Sequence, residues 1–210
     1  MSLLELLQKD VRFQEGLNAC ISCGTCTAIC PAARFYIYDP RIIVETVQRG
    51  NEDDILALLE SDTIWHCGEC LSCKTRCPRN NTPGYIVQAL RNLSQELGCF
   101  IKSVKGRQQF ELMQIVGKNM IKYGYCVFLD EIDLVGHPEQ GPVWQWYKDN
   151  ATSILKRLGA NYKGEGNGTL RKISEADLNE FKRIFDVTGA MKRFEDIEKY
   201  HKGEVSPKFD

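Results

Sequence analysis

Eight of the chain's ten cysteines fall in two copies of one arrangement, Cys20-x-x-Cys23-x-x-Cys26-x-x-x-Cys30-Pro31 and Cys67-x-x-Cys70-x-x-Cys73-x-x-x-Cys77-Pro78. Each cysteine stands 47 residues from its counterpart. No other feature constrains the fold as strongly, because whatever these thiols bind must be enclosed by segments far apart in sequence. One Cys-x-x-Cys is a weak signal. Two complete quartets that both end in Cys-Pro have the spacing of bacterial-type [4Fe–4S] ligation. Three closely spaced cysteines wrap one side of a cubane core through local turns, and the fourth must arrive from another direction. In two-cluster proteins the Cys-Pro cysteine of one motif serves the cluster of the other. That rule assigns Cys20, Cys23, Cys26 and Cys77 to a first [4Fe–4S] cluster. It assigns Cys67, Cys70, Cys73 and Cys30 to a second.

Local chemistry supports the same reading. Pro31 and Pro78 keep the cysteines before them out of helix. Gly24 and Gly68 let the backbone approach cluster sulfurs closely. Ile21, Ile29 and Leu71 are expected to shield the clusters from water. Glu69, Lys74 and Arg76 lie within the second motif and no charge lies within the first, so two unequal potentials are expected.

Other uses of the cysteines fit less well. Structural zinc takes four cysteines in pairs, but has no need of three in a row plus a fourth Cys-Pro. A disulfide framework would staple both halves, whereas nine of the ten cysteines precede residue 103. The N-terminus, MSLLELLQKDVRF, has no basic leader and reads as one amphipathic helix with Leu4, Leu7 and Val11 on its apolar face. A net charge of −1 gives no basic footprint for nucleic acid. No apolar run approaches the ~18–20 residues of a membrane span. The expectation is a cytoplasmic protein, peripheral to a membrane only through partners.

Periodicity predicts an all-α fold in two parts. Residues 1–102 carry both motifs. Pro40 opens a helix that Gly50 stops, with Ile43, Val44 and Val47 inward. Asp53 and Asp54 favour the start of another, with Ile55, Leu58 and Leu59 as its stripe. Thr82 and Pro83 open a third, in which Ile86, Leu90, Leu93 and Leu97 step at helical spacing to Gly98. Residues 103–210 read as a helical extension with a mobile tail after Tyr200, and as a region for docking partners. Phe110, Met113, Val116 and Met120 mark one helix, and Trp144 to Leu158 another. Ser174-x-x-Asp177 caps a third carrying Leu178, Phe181 and Phe185. The stretch 124–142 reads as loop. Gly164-x-Gly166-x-Gly168 also reads as loop, since it lacks the preceding strand of a dinucleotide fingerprint.

Paired motifs on helical segments resemble the alpha-helical ferredoxin family. Iron–sulfur subunits of succinate dehydrogenase and fumarate reductase add a Cys-x4-Cys-x2-Cys motif that has no counterpart here. Those of glycolate oxidase and glycerol-3-phosphate dehydrogenase add adjacent Cys-Cys-Gly, and no two cysteines are adjacent here. The segment Cys67-Gly68-Glu69-Cys70-Leu71-Ser72-Cys73-Lys74-Thr75-Arg76-Cys77-Pro78, followed by helical Tyr85–Leu97, is similar to the second motif of heterodisulfide reductase C subunits. These include the C subunits of the related complexes in sulfur-oxidising microbes. The resemblance spans residues 10–100. It implies two [4Fe–4S] clusters and an electron relay, itself non-catalytic, between a flavin- and cluster-bearing A subunit and a Cys-Cys-Gly-bearing B subunit. It implies a setting in thiol–disulfide or sulfur metabolism, with a lipoate-bearing partner in the sulfur-oxidising version. The alternatives are an iron–sulfur subunit of another flavin dehydrogenase and a subunit doing sulfur chemistry at a cluster.

The remaining candidates weigh toward structural roles. Cys99 and Cys126 read as buried thiols. His66, next to Cys67, can tune a cluster or simply pack beside it. His137 and His201 read as exposed. Trp144, Trp146 and Tyr147 read as core, with partner docking the sharper option.

Overall fold

The computed structural model describes residues 1–126, 128–135 and 138–208, and among them no strand occurs. The fold is all-α. The helices are α1 (Leu3–Gln8), α2 (Val11–Gly16), α3 (Thr25–Ala28), α4 (Pro40–Arg49), α5 (Glu52–Glu60), α6 (Pro83–Leu97), α7 (Val104–Tyr123), α8 (Pro142–Arg157), α9 (Glu175–Val187) and α10 (Ala190–His201). They form two compact units. The first joins Met1–Gln109 to the described residues from Arg193 onward, and the second is Phe110–Lys192. This differs from a division at residue 102, because the chain returns to its first unit at the end.

In the first unit α6 is the hub. Its Ile86, Val87, Leu90, Leu93 and Leu97 are buried, and α2, α4 and α5 pack around it. Each such side chain contributes about 1.5–3 kcal/mol of apolar burial. Gly16 lets α2 approach closely, since a Cβ there would sit 3.1 Å from Tyr85 Cβ. The Thr82 N–H donates to the Gly16 carbonyl at 2.8 Å in the same crossing. The predicted N-terminal helix is two. Asp10 takes an extended conformation and caps α2, accepting from the Arg12 N–H at 2.8 Å. Leu3, Leu7 and Phe13 therefore turn inward, and Val11 is exposed.

The helices at Pro40, near Asp53 and at Pro83 follow the expected pattern. Asp39 caps α4 and Gly50 ends it at φ +69°. Asn51 caps α5 through the Asp54 N–H. Gly98 ends α6 at φ +81°. That position has a second reason to be glycine, because a Cβ would lie 2.5 Å from the Tyr200 ring. Residues past Arg193 are tied to α6. Arg193 donates to Asn92 and Glu96, and the Lys208 N–H donates to the Leu97 carbonyl at 3.0 Å. A tail read as mobile thus has a bonded partner at Lys208.

The second unit has a small core of Leu129, Ala151 and Leu155 with Trp144 and Tyr147 against it. Trp144 donates its indole N–H to the Ile132 carbonyl at 3.0 Å. Two members of the aromatic trio are therefore packing residues, and Trp146 is exposed. Ser174 caps α9 through the Asp177 N–H. The glycine-rich loop closes on Asn161, whose amide donates to the carbonyls of Glu165 and Asn167. Cys126 is exposed, against expectation, whereas Cys99 in the first unit is buried. Val127 and His137 lie outside the described residues.

Candidate iron–sulfur centres

The eight motif cysteines line two cavities. One is lined by Cys20, Cys23, Cys26 and Cys77. The other is lined by Cys30, Cys67, Cys70 and Cys73. Each ring takes three thiols from one motif and the fourth from the other.

The two motifs share a backbone as well as a spacing. The second residue after each leading cysteine, Ser22 or Glu69, is left-handed at φ +59° or +53°. The fourth, Gly24 or Leu71, is left-handed too, at φ +75° or +56°. These turns aim amide hydrogens inward. The Ser22 N–H reaches Cys20 Sγ at 3.5 Å, and the Glu69 N–H reaches Cys67 Sγ at 3.4 Å. Hydroxyls repeat in the same way. Cys23 Sγ lies 3.4 Å from Thr25 Oγ1, and Cys70 Sγ lies 3.4 Å from Ser72 Oγ. Glycine is therefore needed less symmetrically than the sequence implies. Gly68 has no positive φ, and the strained place in the second motif is held by Leu71.

Helix α6 begins between the rings. Pro83 lines the first cavity and Gly84 the second. Gly84 stands beside the Cys73 sulfur, which lies 3.8 Å from where a Cβ on Gly84 would be. A Cβ at Gly84 would come within 2.9 Å of Leu71 Cδ2. The positive end of a helix beside thiolates favours their ionised form. The Asn81 N–H adds a bond to Cys77 Sγ at 3.3 Å.

Matched clamps hold the leading cysteines. Gln48 on α4 accepts from the Cys20 N–H at 2.6 Å and donates to the Cys20 carbonyl at 3.3 Å. Arg91 on α6 serves Cys67. It donates to the carbonyls of Cys67 at 2.6 Å and Ile64 at 2.8 Å, and pairs with Glu69 at 2.6 Å. Its guanidinium also lies over the Trp65 ring. Neither clamp follows from motif or periodicity.

The thiols differ in acidity with their surroundings. The Thr25 hydroxyl draws Cys23 below the ordinary thiol range, and the Ser72 hydroxyl does the same for Cys70. Burial pushes Cys26 up to about 11 and raises Cys73 as well. Tyr38, buried with its hydroxyl beside Cys67, is strongly raised by that burial. His66 stacks on Tyr36 with ring centroids 4.2 Å apart, and burial lowers its pKa.

The charges lining the cavities reverse the reading of the motifs. Arg41 and Arg79 line the first cavity, and no charged side chain lines the second. Glu69 turns to Arg91, and Lys74 stands over the Tyr85 ring at 5.1 Å. Ile21 lines the first cavity yet is exposed, Leu71 lines the second, and Ile29 lines neither.

Four thiols around a cavity, with N–H donors aimed at their sulfurs and hydroxyls in contact with them, suit a cubane cluster. Comparison with known proteins agrees. Residues 15–81 match the family model of the 4Fe-4S dicluster domain, so the chain carries two [4Fe–4S] clusters. Over 105 residues it is 46% identical to the C subunit of the ferredoxin:CoB-CoM heterodisulfide reductase of Methanosarcina acetivorans, covering 49% of this chain and 41% of that one. Over 166 residues it is 32% identical to the iron-sulfur C subunit of the CoB–CoM heterodisulfide reductase of Methanopyrus kandleri, covering 76% and 80%. It is 37% identical over 152 residues to the C2 subunit of the H2/formate:CoB-CoM heterodisulfide,ferredoxin reductase of Methanococcus maripaludis, covering 70% and 75%. Matched along most of its length and bearing the dicluster domain, the chain belongs to the family of heterodisulfide reductase C subunits, whose role is electron transfer within a complex.

Proposed function

We propose that Cys20, Cys23, Cys26 and Cys77 hold one [4Fe–4S] cluster and Cys67, Cys70, Cys73 and Cys30 the other. The chain then relays single electrons between a flavin-bearing A subunit and a Cys-Cys-Gly-bearing B subunit of a heterodisulfide reductase-type complex. The observation that carries the reading is the crossed lining of the two cavities. Each bound cluster supplies one-electron redox chemistry. The protein's part is to hold the thiolates, donate hydrogen bonds to their sulfurs and keep the two centres in one rigid unit around the start of α6.

Docking on partners draws support from apolar side chains left exposed near the rings. Phe35 and Ile37 are 81% and 103% exposed, a few residues after Cys30, and Ile42 on α4 is half exposed. Among the described residues no helix is long and apolar enough to cross a membrane. We place the protein in the cytoplasm, at a membrane only through its partners. The relatives' names favour disulfide reduction as the chemistry served. A lipoate-bearing partner belongs to the sulfur-oxidising version of the complex.

Serine substitutions test the ligand sets. Anaerobically purified protein should contain about eight iron and eight sulfide per chain. Cys77→Ser should alter the same paramagnetic resonance signal as Cys23→Ser, and Cys30→Ser the same signal as Cys70→Ser. If Cys77→Ser instead alters the Cys70 signal, the crossed assignment is wrong. Co-purification from the native host identifies the partners.

A further inference from the structure

We infer that the two centres are unequal in a definite sense: Arg79, helped by Arg41, makes the centre ringed by Cys20, Cys23, Cys26 and Cys77 the higher in potential, so that a lone electron rests there. The inference builds on the ligand sets proposed above.

Hydrogen bonds and exposure nearly cancel between the centres. The amides of Ser22 and Glu69 are counterparts, and so are the hydroxyls of Thr25 and Ser72. The Asn81 amide donates to Cys77 at 3.3 Å at the first centre, and the start of α6 at Gly84 lies beside Cys73 at the second. In each set one thiol, Cys23 or Cys70, is exposed and three are half-buried. One donor is unmatched, the Tyr38 hydroxyl beside Cys67. It favours reduction of the second centre, but as a neutral dipole.

Charge does not cancel. Reduction adds one negative charge to a cluster, and a cation at the cavity wall stabilises that charge. Arg41 faces the first cavity but is answered by Asp39 at 3.0 Å and Glu45 at 3.7 Å. Arg79 also faces it. Its guanidinium donates to the Ala19 carbonyl at 3.3 Å and has no acidic partner among the described residues. The wall of the second cavity is Tyr38, Leu71, prolines and small residues. Neither Arg91, paired with Glu69, nor Lys74, which stands over the Tyr85 ring, lines that cavity. A full, unanswered charge on one side outweighs one neutral hydroxyl on the other. The step concerned is one electron passing between the centres, supplied by one neighbouring subunit and taken by another, with no bond or proton exchanged.

The test is an anaerobic redox titration of the full-length protein, followed by paramagnetic resonance, with iron and sulfide measured on the same samples. Two waves are expected, and Cys23→Ser should alter the higher one. Arg79→Gln should lower that wave and leave the other in place, while Arg79→Lys should leave both. Because Arg79 is exposed, the gap should also narrow as salt rises. The inference is overturned if Cys23→Ser alters the lower wave, or if Arg79→Gln moves the other wave or neither. A different failure, Cys77→Ser altering the wave that Cys70→Ser alters, would break the ligand sets, and the inference would fall with them.

Discussion

Arg91 makes a quantitative claim about the second centre. Its side chain is 13% exposed and donates to two backbone carbonyls, those of Ile64 and Cys67, while its third bond goes to the half-exposed Glu69. Truncation by Arg91→Ala strands two carbonyls away from water, at about 1–3 kcal/mol each. The ion pair with Glu69 is solvent-screened and adds about 0–1 kcal/mol. A total of about 2–7 kcal/mol corresponds to a fall in melting temperature of roughly 4–28 °C for a chain of this size. The assay is anaerobic thermal unfolding of the loaded protein, read by the visible absorption of the clusters. Glu69→Gln is the internal control, and its loss should be a small fraction of the Arg91→Ala loss. Equal losses, or a fall below about 2 °C for Arg91→Ala, would refute the view that the clamp works through the carbonyls.

Three further outcomes follow from the geometry. Gly98→Ala forces a side chain into a left-handed position and against Tyr200, costing about 1–3 kcal/mol and exposing residues 193–208 to protease; Gly159→Ala, with equal φ strain but open space, should leave that proteolysis unchanged. In the native loaded protein Cys126 should react with a thiol reagent and Cys99 should not, as mass mapping of the modified sites would show. Asp62 accepts from the Ser103 hydroxyl and the Lys105 N–H, and those bonds lower its pKa. Its contribution is therefore present above the unfolded value near 3.9 and is lost as pH falls through the lower folded value, so Asp62→Asn should flatten the acid limb of a stability–pH curve.

Local chemistry makes much of the first unit readable. Proline and aspartate before α4, glycine after it, and the apolar stripe of α6 are decided within a few residues of chain. The cysteine quartets are legible because cluster chemistry dictates spacing. What sequence does not reveal is set by folding across distance. Arg79 follows the second motif yet charges the first cavity, because Cys77 crosses over and carries its neighbours along. Glu69 and Lys74 look like cluster charges in the motif, yet one turns to Arg91 and the other to Tyr85. Gln48 and Arg91 sit on helix faces that periodicity marks only as polar. Val11 fits a helical stripe only if Asp10 continues the helix, and its side chain caps the next one instead. Helix α10 is hard to see in the sequence because its apolar stripe is short and a left-handed Gly189 precedes it.

The return of the chain to α6 has a consequence for how the molecule is made. Arg193 bonds Asn92 across 101 residues of sequence, with the whole second unit synthesised in between. Long-range contacts form late, because their loop entropy must be overcome first. The cysteine-bearing segments and the helices around α6 can therefore collapse before residues 193–208 reach them. Tyr200 settling on Gly98 is then the clasp that closes this unit after its helices have packed.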